Sequence, residues 1–191
     1  MLTPESDTPV VLVIMGSVRA GRACPTIAGW VVDIARASSA MSYELVDLRD
    51  WALPMDDEPG IPARGVYANG HTRAWSEKIA HADAFVFVTP QYNWGYPAVL
   101  KNAIDHLYKE WHGKPAIIVT YGGHGGTKCA AQLRQIAEAV KLHPVATMPA
   151  ITLTEAMIGG SAIEPQADFA VHAEEIRKAF AELSGALQSG G

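Results

Sequence analysis

Two short segments hold the residue types best suited to chemistry. In Met15-Gly16-Ser17-Val18-Arg19-Ala20-Gly21-Arg22, a hydroxyl and a guanidinium stand between two glycines. Gly16 and Gly21 allow a tight turn and close approach of backbone to a ligand. Ser17 offers a hydroxyl donor, and Arg19 a charge-assisted fork that matches phosphate oxygens. In Thr89-Pro90-Gln91-Tyr92-Asn93-Trp94-Gly95-Tyr96-Pro97, three aromatics alternate with the amides Gln91 and Asn93, and Pro90, Gly95 and Pro97 shape the loop. Apolar faces with amide groups between them suit a flat heteroaromatic ring, stacked on its face and hydrogen-bonded at its edge. A third segment, Tyr121-Gly122-Gly123-His124-Gly125-Gly126, has four glycines in five residues, a surface of backbone that a ring can approach. One ligand that needs both a phosphate cradle and a ring platform is FMN, so the chain is expected to do redox chemistry. Each segment also has a plainer reading: a strand-to-helix turn with surface arginines, aromatics serving packing or an oligomer interface, and a flexible turn.

Other chemistries fit less well. Gly16 and Gly21 have P-loop spacing, but Arg22 and Ala23 stand where Lys and Ser/Thr should follow, which disfavours a triphosphate site. No G-x-G-x-x-G follows the first apolar run, which disfavours a dinucleotide-binding core. Cys24 follows the arginine rather than preceding it, the wrong order for a cysteine phosphatase loop. No G-x-S-x-G elbow is present. The seven histidines form no H-x-x-x-H or H-x-H pair, so no metal site is expected. Lys101 to Leu107 reads as an ordinary amphipathic helix whose outer face is a candidate dimer surface.

The elements that must position these loops alternate along the chain. Val10 to Ile14 is short, branched and apolar throughout, as a central parallel strand buried on both faces should be. Helical spacing follows over Pro25 to Ser38, with Ile27, Trp30, Val31 and Ile34 on one side. Tyr43 to Leu48 reads as the second strand. A polar connection from Arg49 to Gly70, broken by Pro54, Pro59 and Pro62, is long enough to serve as a lid or interface element. A helix over Thr72 to Ala82, a third strand over Ala84 to Val88, a helix over Ala98 to Lys109 and a fourth strand over Ala116 to Tyr121 come next. The pattern closes with a helix over Thr127 to Lys141 capped by Thr127, a weaker strand over Val145 to Leu153, and a helix over Gln166 to Leu187.

Five strands alternating with helices imply right-handed crossovers and an α/β, doubly wound, five-stranded parallel sheet with helices on both faces. Ligands of such sheets sit beyond the carboxyl ends of the strands, where the strand order reverses. In the flavodoxin-like order 2-1-3-4-5, strands one and three flank that point, and these strands carry the first two loops. The expected organisation is one domain over 1–191, with Met1 to Pro9 and Gln188 to Gly191 frayed.

Composition agrees with a compact protein. The chain has 191 residues, 49% of them hydrophobic and 18% charged, with a net charge of −5. An acidic chain without a Lys/Arg cluster is not expected to bind nucleic acid. Two cysteines make no disulfide framework and suit a reducing compartment, and no apolar run is long enough for membrane insertion. The start lacks the features of a signal peptide, so the expected location is cytoplasmic.

With these residues in hand, the chain resembles the NAD(P)H-dependent FMN reductase family, close to the fungal-type FMN-containing quinone reductases, which are flavodoxin-like. The resemblance is carried by G-S-V-R-A-G-R at Gly16 to Arg22, T-P-Q-Y-N-W-G-Y-P at Thr89 to Pro97, L-K-N-A-I-D at Leu100 to Asp105 and Y-G-G-H-G-G at Tyr121 to Gly126. It runs from about Val10 to about His143, and the last quarter adds little. It implies that Ser17 and Arg19 bind the FMN phosphate. Pro90, Gln91, Tyr92, Asn93 and Trp94 would contact the ring system and ribityl chain, with Tyr121, Gly122 and Gly123 along the ring from the adjacent strand. Many members have Ser where Arg22 stands and Asn where Cys24 stands, both phosphate ligands, and those roles are not carried to Arg22 or Cys24. The resemblance further implies a homodimer or tetramer. It implies hydride transfer from NADPH or NADH through bound FMN to a quinone by a ping-pong scheme, with no catalytic acid or base. Alternatives are an NADPH-dependent FMN, azo or chromate reductase, and a non-enzymatic electron carrier or flavin redox sensor.

Overall fold

The computed structural model describes residues 8–189. The first strand, β1 (Val10–Met15), lies between β2 (Ser42–Asp47) and β3 (Ala84–Pro90), and β4 (Pro115–Gly122) continues the sheet beyond β3. All pairings are parallel; Val13 stands opposite Leu45 on one side and Val86 on the other, and Phe87 stands opposite Ile118. The order β2-β1-β3-β4, continued by β5 (His143–Pro144), is the flavodoxin-like order expected from the sequence.

Alternation along each strand feeds two hydrophobic layers. Val11, Val13 and Met15, with Val86, Val88, Ile117, Val119 and Tyr121, pack under α1 (Cys24–Ser38) and the last helix. Leu12, Ile14, Phe85, Phe87 and Ile118 pack on the other face under α2 (Gly70–Ala80), α3 (Ala98–Asp105) and α4 (Thr127–Ala139). Both buried indoles on that side find acceptors: Trp75 Nε1 donates to Ala103 O at 2.8 Å and Trp111 Nε1 to Ile104 O at 3.1 Å. Gly16 marks the closest approach of the first loop to β3. Its N–H donates to Val88 O at 2.9 Å, and a Cβ there would stand 2.9 Å from Thr89 Oγ1.

Several boundaries differ from expectation. The single fifth strand is two pieces, β5 (His143–Pro144) and β6 (Ala150–Thr152), both paired with β4. Pro144 and Pro149 lack the N–H that a continuous ladder needs. The last helix is also divided: after the short α5 (Glu155–Ile158) come α6 (Pro165–Asp168), a 3₁₀ turn over Ala170–His172 and α7 (Ala173–Ser189). α3 stops at Asp105, and Thr127 begins α4 rather than capping it, the cap position being Gly126 at φ +96°. The expected fraying of the termini falls largely outside the described residues; within them, Gln188 and Ser189 belong to α7.

Candidate active site

The carboxyl ends of β1, β3 and β4 open onto a cavity of about 460 Å³, within the range of small-molecule sites. Its floor and sides come from the three loops singled out in the sequence. Arg19, Gly21, Arg22, Ala23 and Thr26 enter from the β1–α1 loop and the start of α1. Pro90, Gln91 and Tyr92 enter from β3, and Tyr121, Gly122 and Gly123 from β4.

Of the ten sequence-predicted site residues, seven line this cavity: Arg19, Pro90, Gln91, Tyr92, Tyr121, Gly122 and Gly123. Ser17 does not. It is fully buried behind the wall, where its hydroxyl pairs with Tyr92 Oη at 2.9 Å and accepts from Arg19 N at 3.4 Å. Ser17 therefore holds Tyr92 and the turn in place. The Arg19 guanidinium lies 4.0 Å from the Tyr92 ring centre, so one ring ties both loops together.

Asn93 and Trp94 also stand outside the lining. They form the tip of a two-residue hairpin closed by Tyr92 N to Gly95 O at 2.8 Å and Gly95 N to Tyr92 O at 2.9 Å. Both have positive φ, +48° and +73°, as a primed turn requires. The Trp94 side chain is 62% exposed, with Lys128 Nζ 3.0 Å from its ring centre. Gln91 is set by the neighbouring helix: its Oε1 accepts from Cys129 N at 3.2 Å, near the start of α4. That commits the oxygen of the amide and leaves its N–H groups as what Gln91 can offer a ligand.

Arg22, which the sequence gives no ligand role, also lines the cavity. Its side chain is only 6% exposed, and Nη2 pairs with Asp47 at the end of β2. Nε and Nη1 are buried and have no hydrogen-bond partner among the described residues, although the residue lines the cavity. A buried guanidinium with two idle donors is costly unless an anion takes them. The start of α1 adds to this demand: Ala23 at its cap position provides no side-chain cap, so first-turn N–H groups remain for an acceptor.

The opposite side of the cavity is apolar and comes from the last quarter of the chain. Leu153, Met157, Ile158 and Ile163 form it, with Gly160, Ser161 and Ala162 between them. Thr154 sets this wall by capping α5, its Oγ1 accepting from Met157 N at 3.3 Å. The sequence signal was weak, a glycine pair at Gly159-Gly160 between apolar residues. Gly125 and Gly126, by contrast, turn away from ligand duty. Both have positive φ, and a Cβ at Gly126 would stand 2.8 Å from Thr120 Cβ.

Neither cysteine is poised as a nucleophile. Burial pushes the Cys24 thiol up, and burial pushes Cys129 up to about 12. Burial first, and the adjoining Cys24 second, drive the Tyr121 hydroxyl far above its usual range, so it stays neutral. Cavity chemistry thus amounts to a cationic end around Arg19 and Arg22, a side-chain-free edge at Gly122 and Gly123, and an apolar wall. This arrangement fits FMN. A guanidinium with unpartnered nitrogens suits its phosphate, and an open glycine edge faced by apolar side chains suits its ring.

Comparisons with known proteins agree. The family model described as NADPH-dependent FMN reductase matches residues 9–155. An NAD(P)H-dependent FMN reductase of Schizosaccharomyces pombe is 55% identical, over 95% of this chain and 92% of that protein. A quinone reductase of Escherichia coli is 35% identical, over 69% of this chain and 70% of that protein. Among solved structures, the flavoenzyme NAD(P)H:(acceptor) oxidoreductase of Paracoccus denitrificans superposes with a TM-score of 0.71 at 22% identity, covering 96% of this chain and all of that one.

Proposed function

This chain belongs to the NADPH-dependent FMN reductase family, and we propose that it is an NAD(P)H:quinone oxidoreductase that serves both substrates in turn at one site. Its activity as an NAD(P)H-dependent, FMN-containing reductase follows from the family. The finer reading rests chiefly on the cavity itself, whose cationic end, glycine edge and apolar wall provide one open face for a flat substrate. The 35% identical relative named as a quinone reductase supports the choice of acceptor.

In this proposal Arg22 and Arg19 hold the FMN phosphate together with first-turn N–H groups of α1. Pro90, Gln91 and Tyr92 hold the ring on one side, and Tyr121, Gly122 and Gly123 let it lie close to the backbone. Ser17 positions Tyr92. Bound FMN would supply the two-electron redox chemistry between the nicotinamide and the acceptor. Leu153, Met157, Ile158 and Ile163 give the incoming flat molecule an apolar surface and keep water from it. Overall, NAD(P)H and one proton with a quinone become NAD(P)⁺ and a hydroquinone, the second hydroquinone proton coming from water. Tyr121 stays protonated and gives no proton to this exchange.

The chain is further proposed to act as one domain and as a homodimer in the cytoplasm. The exposed Met55, Ile61 and Val66 on the long connection, with the exposed Trp94, favour a second copy of the chain as cover. Two free buried thiols suit a reducing compartment, and no helix among the described residues is long and apolar enough to cross a membrane. Steady-state kinetics with NADPH and a soluble benzoquinone test the shared site. Parallel double-reciprocal lines are expected; intersecting lines, which require both substrates bound together, would overturn it.

A further inference from the structure

We propose that Asp57, His71 and His106 bind one divalent transition-metal ion of the zinc class, which fastens the connection between β2 and α2 to α2 and α3. The donor atoms of the three residues all lie within 4.8 Å of one another. They come from three places: Asp57 from the connection, His71 from the first turn of α2, and His106 from the end of α3.

His106 carries the argument. Its side chain is 4% exposed. Its Nδ1 lies 2.8 Å from Asn102 O, and a carbonyl can only accept, so Nδ1 bears the proton. Nε2 then presents a lone pair, and that atom is buried with no hydrogen-bond partner among the described residues. It faces Asp57 Oδ1 at 3.7 Å. A lone pair facing a carboxylate oxygen repels it unless a cation lies between. A proton would leave a separation longer than the usual ~2.7–3.2 Å N–H···O hydrogen bond. A metal-bound imidazole whose other nitrogen donates to a backbone carbonyl is, in contrast, a common arrangement.

His71 provides the third donor. Its Nε2 lies 2.9 Å from Asp57 Oδ2 and 3.2 Å from Oδ1. On metal binding this nitrogen gives up any proton it shares with Asp57. Donors at tetrahedral zinc distances are roughly 3.3 Å apart; the two histidine–aspartate separations straddle that value, and the two histidine nitrogens, within 4.8 Å, must draw together to complete the site. Two imidazoles and one carboxylate select zinc and its neighbours over magnesium or calcium, which prefer all-oxygen shells. Asp57 and His71 are partly exposed, which leaves an entry path and a fourth position for water.

The surroundings hold the aspartate in place. Asn69 Nδ2 donates to Asp57 O at 3.0 Å, and the Glu58 carboxylate accepts from Ala68 N and Asn69 N, each at 2.9 Å. None of the three metal-binding residues lines the FMN cavity, so the ion's role is to brace the fold rather than take part in the redox reaction. The inference stands independently of the proposed acceptor.

The test is calorimetric titration of zinc into FMN-loaded protein freed of metal by chelation, with melting temperature followed in parallel. One zinc per chain and a higher melting temperature are expected. His71→Ala and Asp57→Asn should each weaken zinc binding at least tenfold, while FMN content and metal-free NADPH oxidation stay unchanged. His106→Gln should do the same if it folds, and the partly exposed His71 keeps the test valid if it does not. Absence of zinc binding, unchanged affinity in His71→Ala and Asp57→Asn, or equally tight magnesium binding would overturn the proposal.

Discussion

Replacing Arg22 by Gln separates the two things this residue does. Nη2 neutralises Asp47, while Nε and Nη1 are buried without a hydrogen-bond partner among the described residues, in a residue that lines the cavity. If those two donors are meant for the FMN phosphate, Arg22→Gln loses at least one charge-assisted hydrogen bond to a multiply charged group. Such a bond contributes about 1.5–3 kcal/mol, so FMN should bind roughly 10- to 100-fold more weakly. The same change strands the Asp47 carboxylate. That group is 20% exposed and still accepts from Arg49 N at 3.0 Å, so the stability loss should be about 1–2 kcal/mol, below the ~3–5 kcal/mol seen for fully buried pairs. Arg22→Gln combined with Asp47→Asn removes the stranded charge. It should regain most of the stability and none of the FMN affinity. Flavin fluorescence titration of FMN-free protein gives the first quantity, and urea unfolding followed by circular dichroism the second. An Arg22→Gln protein that binds FMN within threefold of the parent, or a double variant whose FMN affinity recovers with its stability, would refute a phosphate role for Arg22.

Other outcomes are equally specific. Arg19→Ala should weaken FMN binding while leaving thermal stability within about 0.5 kcal/mol, because Arg19 is exposed and its contact is with the Tyr92 ring; unchanged FMN affinity would place the phosphate elsewhere. A Cβ at Gly122 meets Gln91 Cβ at 3.7 Å and Gln91 O at 4.0 Å, both ordinary contacts, so Gly122→Val should fold normally and purify with little FMN, as read by bound-flavin absorbance. Trp94→Gly relieves a positive φ of +73° and creates an Asn-Gly turn, so the melting temperature should hold or rise; a clear fall would make Trp94 a fold residue. Glu182 accepts from Thr147 N at 2.8 Å and from Thr147 Oγ1 at 2.6 Å. Burial alone would raise its pKa, but these bonds and Lys178 outweigh it and hold it below the ordinary 4.5. A depressed carboxylate stabilises the fold above 4.5 and loses that contribution as pH falls through its folded value. The stability gap between parent and Glu182→Gln should therefore be full near neutrality and close in acid.

The central sheet was legible because β1, β3 and β4 are buried on both faces and are apolar along nearly their whole length, with Thr89 and Thr120 near the carboxyl ends. Chemistry-bearing loops directly after such strands had to meet at one edge, which is why seven of the ten expected residues share a cavity. What the sequence hid depends on direction and distance. The loop sequence gives Ser17 a hydroxyl at the expected phosphate turn, but it does not say that this hydroxyl pairs with Tyr92. Arg22 was set aside because it occupies a position where relatives differ; its idle donors appear only once Asp47 is seen to take the third nitrogen. The apolar wall over Leu153–Ile163 lies beyond two prolines that break the fifth strand, and no periodic pattern marks it. Asp57, His71 and His106 show no ligand spacing because the fold gathers them from separate elements.

The most direct test is an absorption spectrum of the purified protein, taken before and after anaerobic NADPH and again after a benzoquinone. The account predicts a yellow protein whose bands bleach with about one equivalent of NADPH, two electrons for one FMN, and return when the quinone is added. A colourless protein that takes up no added FMN, or a yellow one that NADPH leaves oxidised, would contradict it.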